Sequence, residues 1–155
     1  MHYIITDIHN DSWRFMKLLE KMGLKEDDHL YLLGDLFDRC MDHPDPAGVY
    51  FQTLKLGKKC TVLRGNHDHW LANYIFHYYG SNERDRALLQ PYPYNSFHLL
   101  QERLTEVDLK ELAEYIRMQE EAAAMVESLK DQLKERMTAA GVDSLAGSEH
   151  KATYK

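Results

Sequence analysis

Three short polar stretches carry residue types that could build a metal-centred hydrolytic site: Asp7-Ile8-His9, Gly34-Asp35-Leu36-Phe37-Asp38-Arg39 and Gly65-Asn66-His67-Asp68. In an extended segment the side chains at i and i+2 point the same way, so Asp7 and His9 can grip one cation between a carboxylate and an imidazole. A carboxylate such as Asp35 can bridge two cations, and a bridge holds them at the ~3.5–4 Å that two-metal hydrolysis requires. Gly34 suits a backbone that turns tightly just before it. Asn66 offers a neutral amide oxygen to a metal, and the neighbouring His67 can donate a proton. Taken singly, each stretch has a plainer reading: Asp7 caps a turn, Asp35 and Asp38 are ordinary loop acids, and Gly65-Asn66 is a common turn dipeptide. Their joint occurrence is far more specific, provided that the chain brings them together.

The elements that must do so are legible around them. Tyr3 to Thr6, Leu30 to Leu33 and Cys60 to Leu63 are short apolar runs that read as buried strands, each ending in one of the polar stretches. Between them, Asp11-Ser12 starts a helix with Trp13, Met16, Leu19 and Met22 at helical spacing and Gly23 as its stop. Asp45-Pro46 starts another that ends at Gly57. The resulting strand, helix, strand, helix, strand order has units of about 30 residues, as in βαβ crossovers of a parallel sheet. Ligands of such sheets gather at the carboxyl ends of the strands, so Asp7, Asp35 and Asn66 should converge. Downstream, the pattern predicts a helix over 71–79 and a loop around Gln90-Pro91-Tyr92-Pro93. Thr105 to Asp108 reads as a capping box for a helix with Val107, Leu109, Leu112, Tyr115 and Ile116 as its stripe. Residues 119–137 carry a further stripe of Met125, Val126, Leu129, Leu133 and Met137, read as a helical hairpin, an oligomerisation helix or a helix packed on its own core. The expected organisation is a core over 1–100, a helical segment over 101–140 and a polar tail over 141–155.

The chain has 155 residues, 44% hydrophobic and 28% charged, which is enough for one globular domain. A formal net charge of -6 gives no basic field for a phosphate backbone, so strong nucleic-acid binding is not expected, whereas a small phosphorylated substrate is compatible. No stretch approaches the ~20 apolar residues of a membrane span. The opening residues lack a basic leader, so no signal peptide is expected. Cys40 and Cys60 form no disulfide framework or zinc knuckle. A cytoplasmic setting is the expectation.

Asp7-x-His9, Gly34-Asp35-x-x-Asp38-Arg39 and Gly65-Asn66-His67-Asp68 together resemble the signature of the calcineurin-like metallophosphoesterases. Arg39 after Asp38, and Arg64 before Gly65, are most similar to the phosphoprotein (serine/threonine) phosphatase branch, which includes bacterial diadenosine tetraphosphatases. The resemblance covers residues 1–70 well and 71–118 loosely. It implies an α/β fold, a β-sandwich flanked by helices, here as its N-terminal βαβαβ half with a helical C-terminal segment. It implies two divalent ions, manganese first, with iron, zinc, nickel or magnesium as alternatives. Asp7 and His9 would hold the first, Asp35 both, and Asn66 the second. His67 would be the general acid, oriented by Asp38, while Arg39 and Asn66 hold phosphate oxygens and Arg64 either assists or braces the loop. A hydroxide between the metals would be the nucleophile. The implied partner is a phosphorylated substrate: a phosphoprotein, a small phosphomonoester or a dinucleoside polyphosphate.

The sequence also departs from the family pattern. Cys40 replaces a usual glycine and Asp68 a usual glutamate, and the two histidine ligands of the family's second half have no counterpart. His77, His98 and His150 lie in unrelated contexts; His69 adjoins the site, and His2, His29 and His43 read as structural or exposed. With only Asp35 and Asn66, the second ion is under-liganded. The alternative expectation is therefore a truncated or pseudo-phosphatase acting as a non-catalytic binding module, with homo-oligomerisation through the C-terminal helix or completion by a partner.

Overall fold

The computed structural model describes residues 1–40, 42–142, 144–146 and 151–153. Three short strands, β1 (His2–Ile5), β2 (His29–Leu32) and β3 (Cys60–Val62), form a parallel sheet in the order β1-β2-β3. Ile4 pairs with Tyr31 and Tyr31 with Thr61, while Ile5, Leu32 and Val62 align in the next row. Helix α1 (Ser12–Met22) joins β1 to β2 and α2 (Pro46–Leu56) leads towards β3. The two crossovers have the boundaries and signals read from the sequence. Asp11 caps α1 by accepting from the Arg14 N–H at 2.9 Å, and Gly23 ends it in the left-handed region at φ 55°. Asp45 caps α2 through the Gly48 N–H at 2.8 Å, with Pro46 in the first turn.

Two helical faces differ from the expected ones. In α1 the core takes Phe15, with Leu19 and Met22 packed against it, while Trp13 and Met16 are exposed. Phe15, Leu19 and Met22 also fall at helical spacing, so periodicity alone could not choose between two overlapping stripes. Helix α3 (Asn66–Gly80) begins five residues before the expected 71, which places Asn66, His67 and Asp68 in its first turn. After α4 (Glu83–Arg86) and α5 (Ser96–Gln101), α6 (Glu106–Ala140) runs unbroken, with no hairpin. The Thr105–Asp108 capping box is formed, Thr105 Oγ1 accepting from the Asp108 N–H at 3.2 Å and Asp108 Oδ2 from the Thr105 N–H at 2.9 Å. Its buried stripe is Leu109, Leu112, Ala113 and Ile116, whereas Val107 and Tyr115 face solvent.

The first compact unit spans Met1–Gln119, past the expected boundary near residue 100, because these α6 residues belong to the same core as Leu30, Leu32, Phe37, Leu71 and Phe97. The second, Glu120–Lys155, holds the rest of α6 and a two-stranded antiparallel pair, β4 (Ser144–Ala146) with β5 (Lys151–Thr153). In it Met125 and Leu129 are exposed and Met137 is buried; Val126 and His150 lie outside the described side chains. No helix among the described residues is long and apolar enough to cross a membrane. In the first unit one sheet face packs on the core, and the other leaves Ile4, Leu33 and Leu63 exposed at 67%, 44% and 48%.

Candidate metal centre

The loops that leave β1, β2 and β3 meet at the carboxyl edge of the sheet, and their meeting depends on two glycines. Gly34 sits at φ 90°, and a Cβ there would strike the backbone of Gly65. A Cβ on Gly65 would in turn strike the backbone and carboxylate of Asp35. The loops can approach this closely only without side chains at both positions. They continue through left-handed backbone at Asp7, His9 and Asn10 and at Asp35, Asp38 and Arg39, with φ between 48° and 70°. Asp, Asn and His tolerate this region best, which suits all of these but Arg39. Asp7 and His9 therefore converge through a coiled loop, not through the extended i, i+2 geometry expected from the sequence.

The convergence brings Asp7, His9 and Asp35 within 4.8 Å of one another, ligand atom to ligand atom. His9 Nδ1 lies 3.0 Å from the Phe37 carbonyl, so this nitrogen carries the proton and Nε2 keeps its lone pair, 3.4 Å from Asp7 Oδ1. The Thr6 hydroxyl, as the largest influence, holds the Asp7 carboxyl below the usual carboxylate range. Asp35 Oδ1 accepts from the His67 N–H at 3.1 Å. The Asn66 amide oxygen faces the Asp35 carboxylate, an arrangement of acceptors only; turning the amide would put its nitrogen 3.2 Å from both carboxylate oxygens. A cation between amide oxygen and carboxylate also resolves the contact, and two carboxylates, one imidazole lone pair and one amide oxygen suit a hard or borderline divalent ion.

Beside this cluster, His67 Nδ1 bonds Asp38 Oδ2 at 3.0 Å, and both side chains are fully buried. The His67 ring stands edge-on to His9, with centroids 5.4 Å apart, and is flanked by Trp70 and Tyr94. Its Nε2 is buried with no hydrogen-bond partner. A cleft of about 500 Å³ opens from Asp7 and His9 past Arg39, Cys40 and Asp42 to Arg14 and His43. Arg39 thus lies where it could meet an anion bound at the cluster. Arg64 does not line that cleft; its Nη1 is 2.6 Å from His69 Nδ1. Among the remaining histidines, His77 and His98 are exposed on α3 and α5.

The calcineurin-like phosphoesterase family model matches residues 3–132. The chain belongs to the calcineurin-like phosphoesterase family. No curated protein matches it. Membership makes metal-dependent phosphoester hydrolysis the chemistry of this fold, and the Asp7, His9 and Asp35 cluster is a candidate metal site of such a phosphoesterase. Several residues that build the site are silent in the sequence. Asp68 stands at the end of the third polar stretch, but its role does not show there: it ties the second and third loops together. Its Oδ1 accepts from the Leu36 and Phe37 N–H groups at 2.8 and 3.3 Å, and its Oδ2 from that of Gly65 at 2.9 Å. Burial nonetheless raises its pKa. Tyr92 and Ser96 bond Asp38 from segments that carry no motif, and Asn10 in turn donates to Ser96. Arg14 and His43 border the cleft only because α1 and the loop before α2 fold beside it. Only the glycines and the Asp-rich loop starts could have pointed to this crowding.

Proposed function

We propose that the chain is a divalent-metal phosphatase that hydrolyses phosphomonoesters, on phosphoserine or phosphothreonine proteins or on small phosphorylated molecules. One observation carries this reading: the Asp7, His9 and Asp35 ligand atoms lie within 4.8 Å of one another while the His67–Asp38 pair stands against His9. Bound divalent ions, with manganese preferred, would supply Lewis acidity towards the phosphoryl oxygens and an activated water. The residues of the chain do the rest. Asp7, His9, Asp35 and Asn66 hold the ions, and Arg39 pairs with phosphate oxygens through its planar fork. Asp38 fixes the His67 tautomer so that Nε2 can deliver a proton to the departing oxygen.

The test is hydrolysis of p-nitrophenyl phosphate by the purified chain with Mn²⁺. Turnover that is lost on chelation and on Asp35→Asn is the expected result. Metal-dependent turnover that survives Asp35→Asn would sink the assignment. A second reading, a non-catalytic binding module, is supported by the short ligand set at the second ion, for which only Asp35 and Asn66 are at hand among the described residues. Metal analysis separates the two: two ions per chain favour the phosphatase, and none favours the module.

A further inference from the structure

Asp38 is held by more than its histidine. Its Oδ2 accepts from His67 Nδ1 at 3.0 Å and also from the Tyr92 hydroxyl at 2.7 Å. Its backbone N–H donates to Ser96 Oγ at 3.0 Å, and the same hydroxyl receives the Asn10 amide at 2.8 Å. All of these residues are buried. The plain explanation for Tyr92 is that a core tyrosine needs an acceptor and takes the nearest one. That does not account for the pattern at the carboxylate, where both donors converge on Oδ2 and Oδ1 has no partner. Rotating the carboxylate about its Cβ–Cγ bond would strain both bonds at once, so Oδ2 is pinned beneath Nδ1. Burial and the adjacent Asp38 push the Tyr92 phenol far above its ordinary pKa, so it remains a donor.

We infer that Tyr92 is a positioning residue for His67: through Asp38 it locks the imidazole with Nδ1 protonated, leaving Nε2 as the atom that faces the leaving oxygen. Ser96 fixes the same aspartate from its backbone side. The inference rests on the phosphatase reading for its catalytic meaning, and its structural content can be measured separately.

A general acid matters more as the departing oxygen becomes more basic. Tyr92→Phe keeps the ring packed on Tyr74 and Tyr94, whose centroids lie 5.0 and 5.9 Å away, and removes only the hydroxyl. On phenyl phosphate, whose leaving group is basic, kcat should fall about tenfold, against less than about threefold on p-nitrophenyl phosphate, with KM unchanged on both. Ser96→Ala should give the same pattern. In the Mg²⁺-loaded full chain, the His67 Nδ1–H proton resonance, assigned by its loss in His67→Gln, should move in Tyr92→Phe. Equal losses on the two substrates, or an unmoved resonance, would overturn the inference. Should the unmodified chain turn over neither substrate, the phosphatase reading fails, and the resonance alone decides whether Tyr92 orders the pair.

Discussion

The His67 ring is anchored on one side and unsatisfied on the other: Nδ1 meets Asp38 at 3.0 Å while Nε2 is buried with no partner. A buried polar atom without a partner costs roughly 1–3 kcal/mol, so its retention calls for a reason beyond packing. Proton delivery to a bound substrate is such a reason, and it makes Asp38→Asn informative. An amide can still bond Nδ1, but it can no longer stabilise an imidazolium. Because Asp38 is not part of the Asp7, His9 and Asp35 cluster found among the described residues, the variant should bind as much metal as the parent while kcat falls about 100-fold. A matching loss of metal by elemental analysis would show instead that Asp38 is a ligand. The residue types of this pair and of the metal cluster were readable in the sequence, since Asp7, His9, Asp35, Asn66, His67 and Asp38 all stand in short local motifs. Tyr92 and Ser96 were not, because a contact made across 54 or 58 positions leaves no local pattern.

At the scale of elements, the crossovers were legible because caps and stops are local chemistry: Asp11, Gly23, Asp45 and Pro46 stand where the structure uses them. Which stripe of α1 faces inwards, and how early α3 starts, depend on neighbours that the helix sequence does not contain. The junction of the loops after β2 and β3 depends on Gly34 and Gly65, and its sensitivity can be stated. Gly65→Ala places a methyl group against Asp35, and Gly34→Ala adds the strain of φ 90°. Each should destabilise the chain by about 1–3 kcal/mol in urea unfolding, and Gly65→Ala should also weaken metal binding. Loss of neither would mean that the loops are free to separate. The α6 cap gives a pH-dependent counterpart. Hydrogen bonds from the Thr105 side chain and backbone lower the Asp108 pKa from its ordinary 3.8. A depressed folded pKa stabilises the chain above the unfolded value and is lost as pH falls through the folded one. The melting-point gap between the parent and Asp108→Asn should thus be present at neutral pH, persist to about pH 4 and close below it. A gap independent of pH would exclude the carboxylate as its source.

Across the whole molecule, four carboxylates from three segments, Asp7 after β1, Asp35 and Asp38 after β2 and Asp68 in the first turn of α3, gather around the site in a chain whose formal charge is -6. Self-repulsion and left-handed backbone both oppose this gathering, and a divalent cation counters the first by neutralising Asp7 and Asp35 where they meet. The sequence announced the ligands but not this tension, which exists only once the loops have met. The bare sheet face carries a different consequence. Ile4 and Leu63 bury little, so changing both to threonine should alter unfolding stability by no more than about 0.5 kcal/mol while reducing binding of a hydrophobic dye. A large loss of stability would show that the face is covered in solution. The cation effect can be tested on the folded state without any substrate. A ligand that binds only the native chain stabilises it by about 2.7 kcal/mol at 100 times its dissociation constant. The melting midpoint should therefore climb with Mn²⁺ concentration and fall back on chelation. In Asp35→Asn the climb should vanish while the metal-free midpoint rises, because one repelling charge has gone. A metal-free midpoint that falls in this variant would mean that the charge assistance Asp35 gives to the His67 N–H bond, which an amide oxygen accepts only as a neutral bond, outweighs the repulsion before any cation arrives.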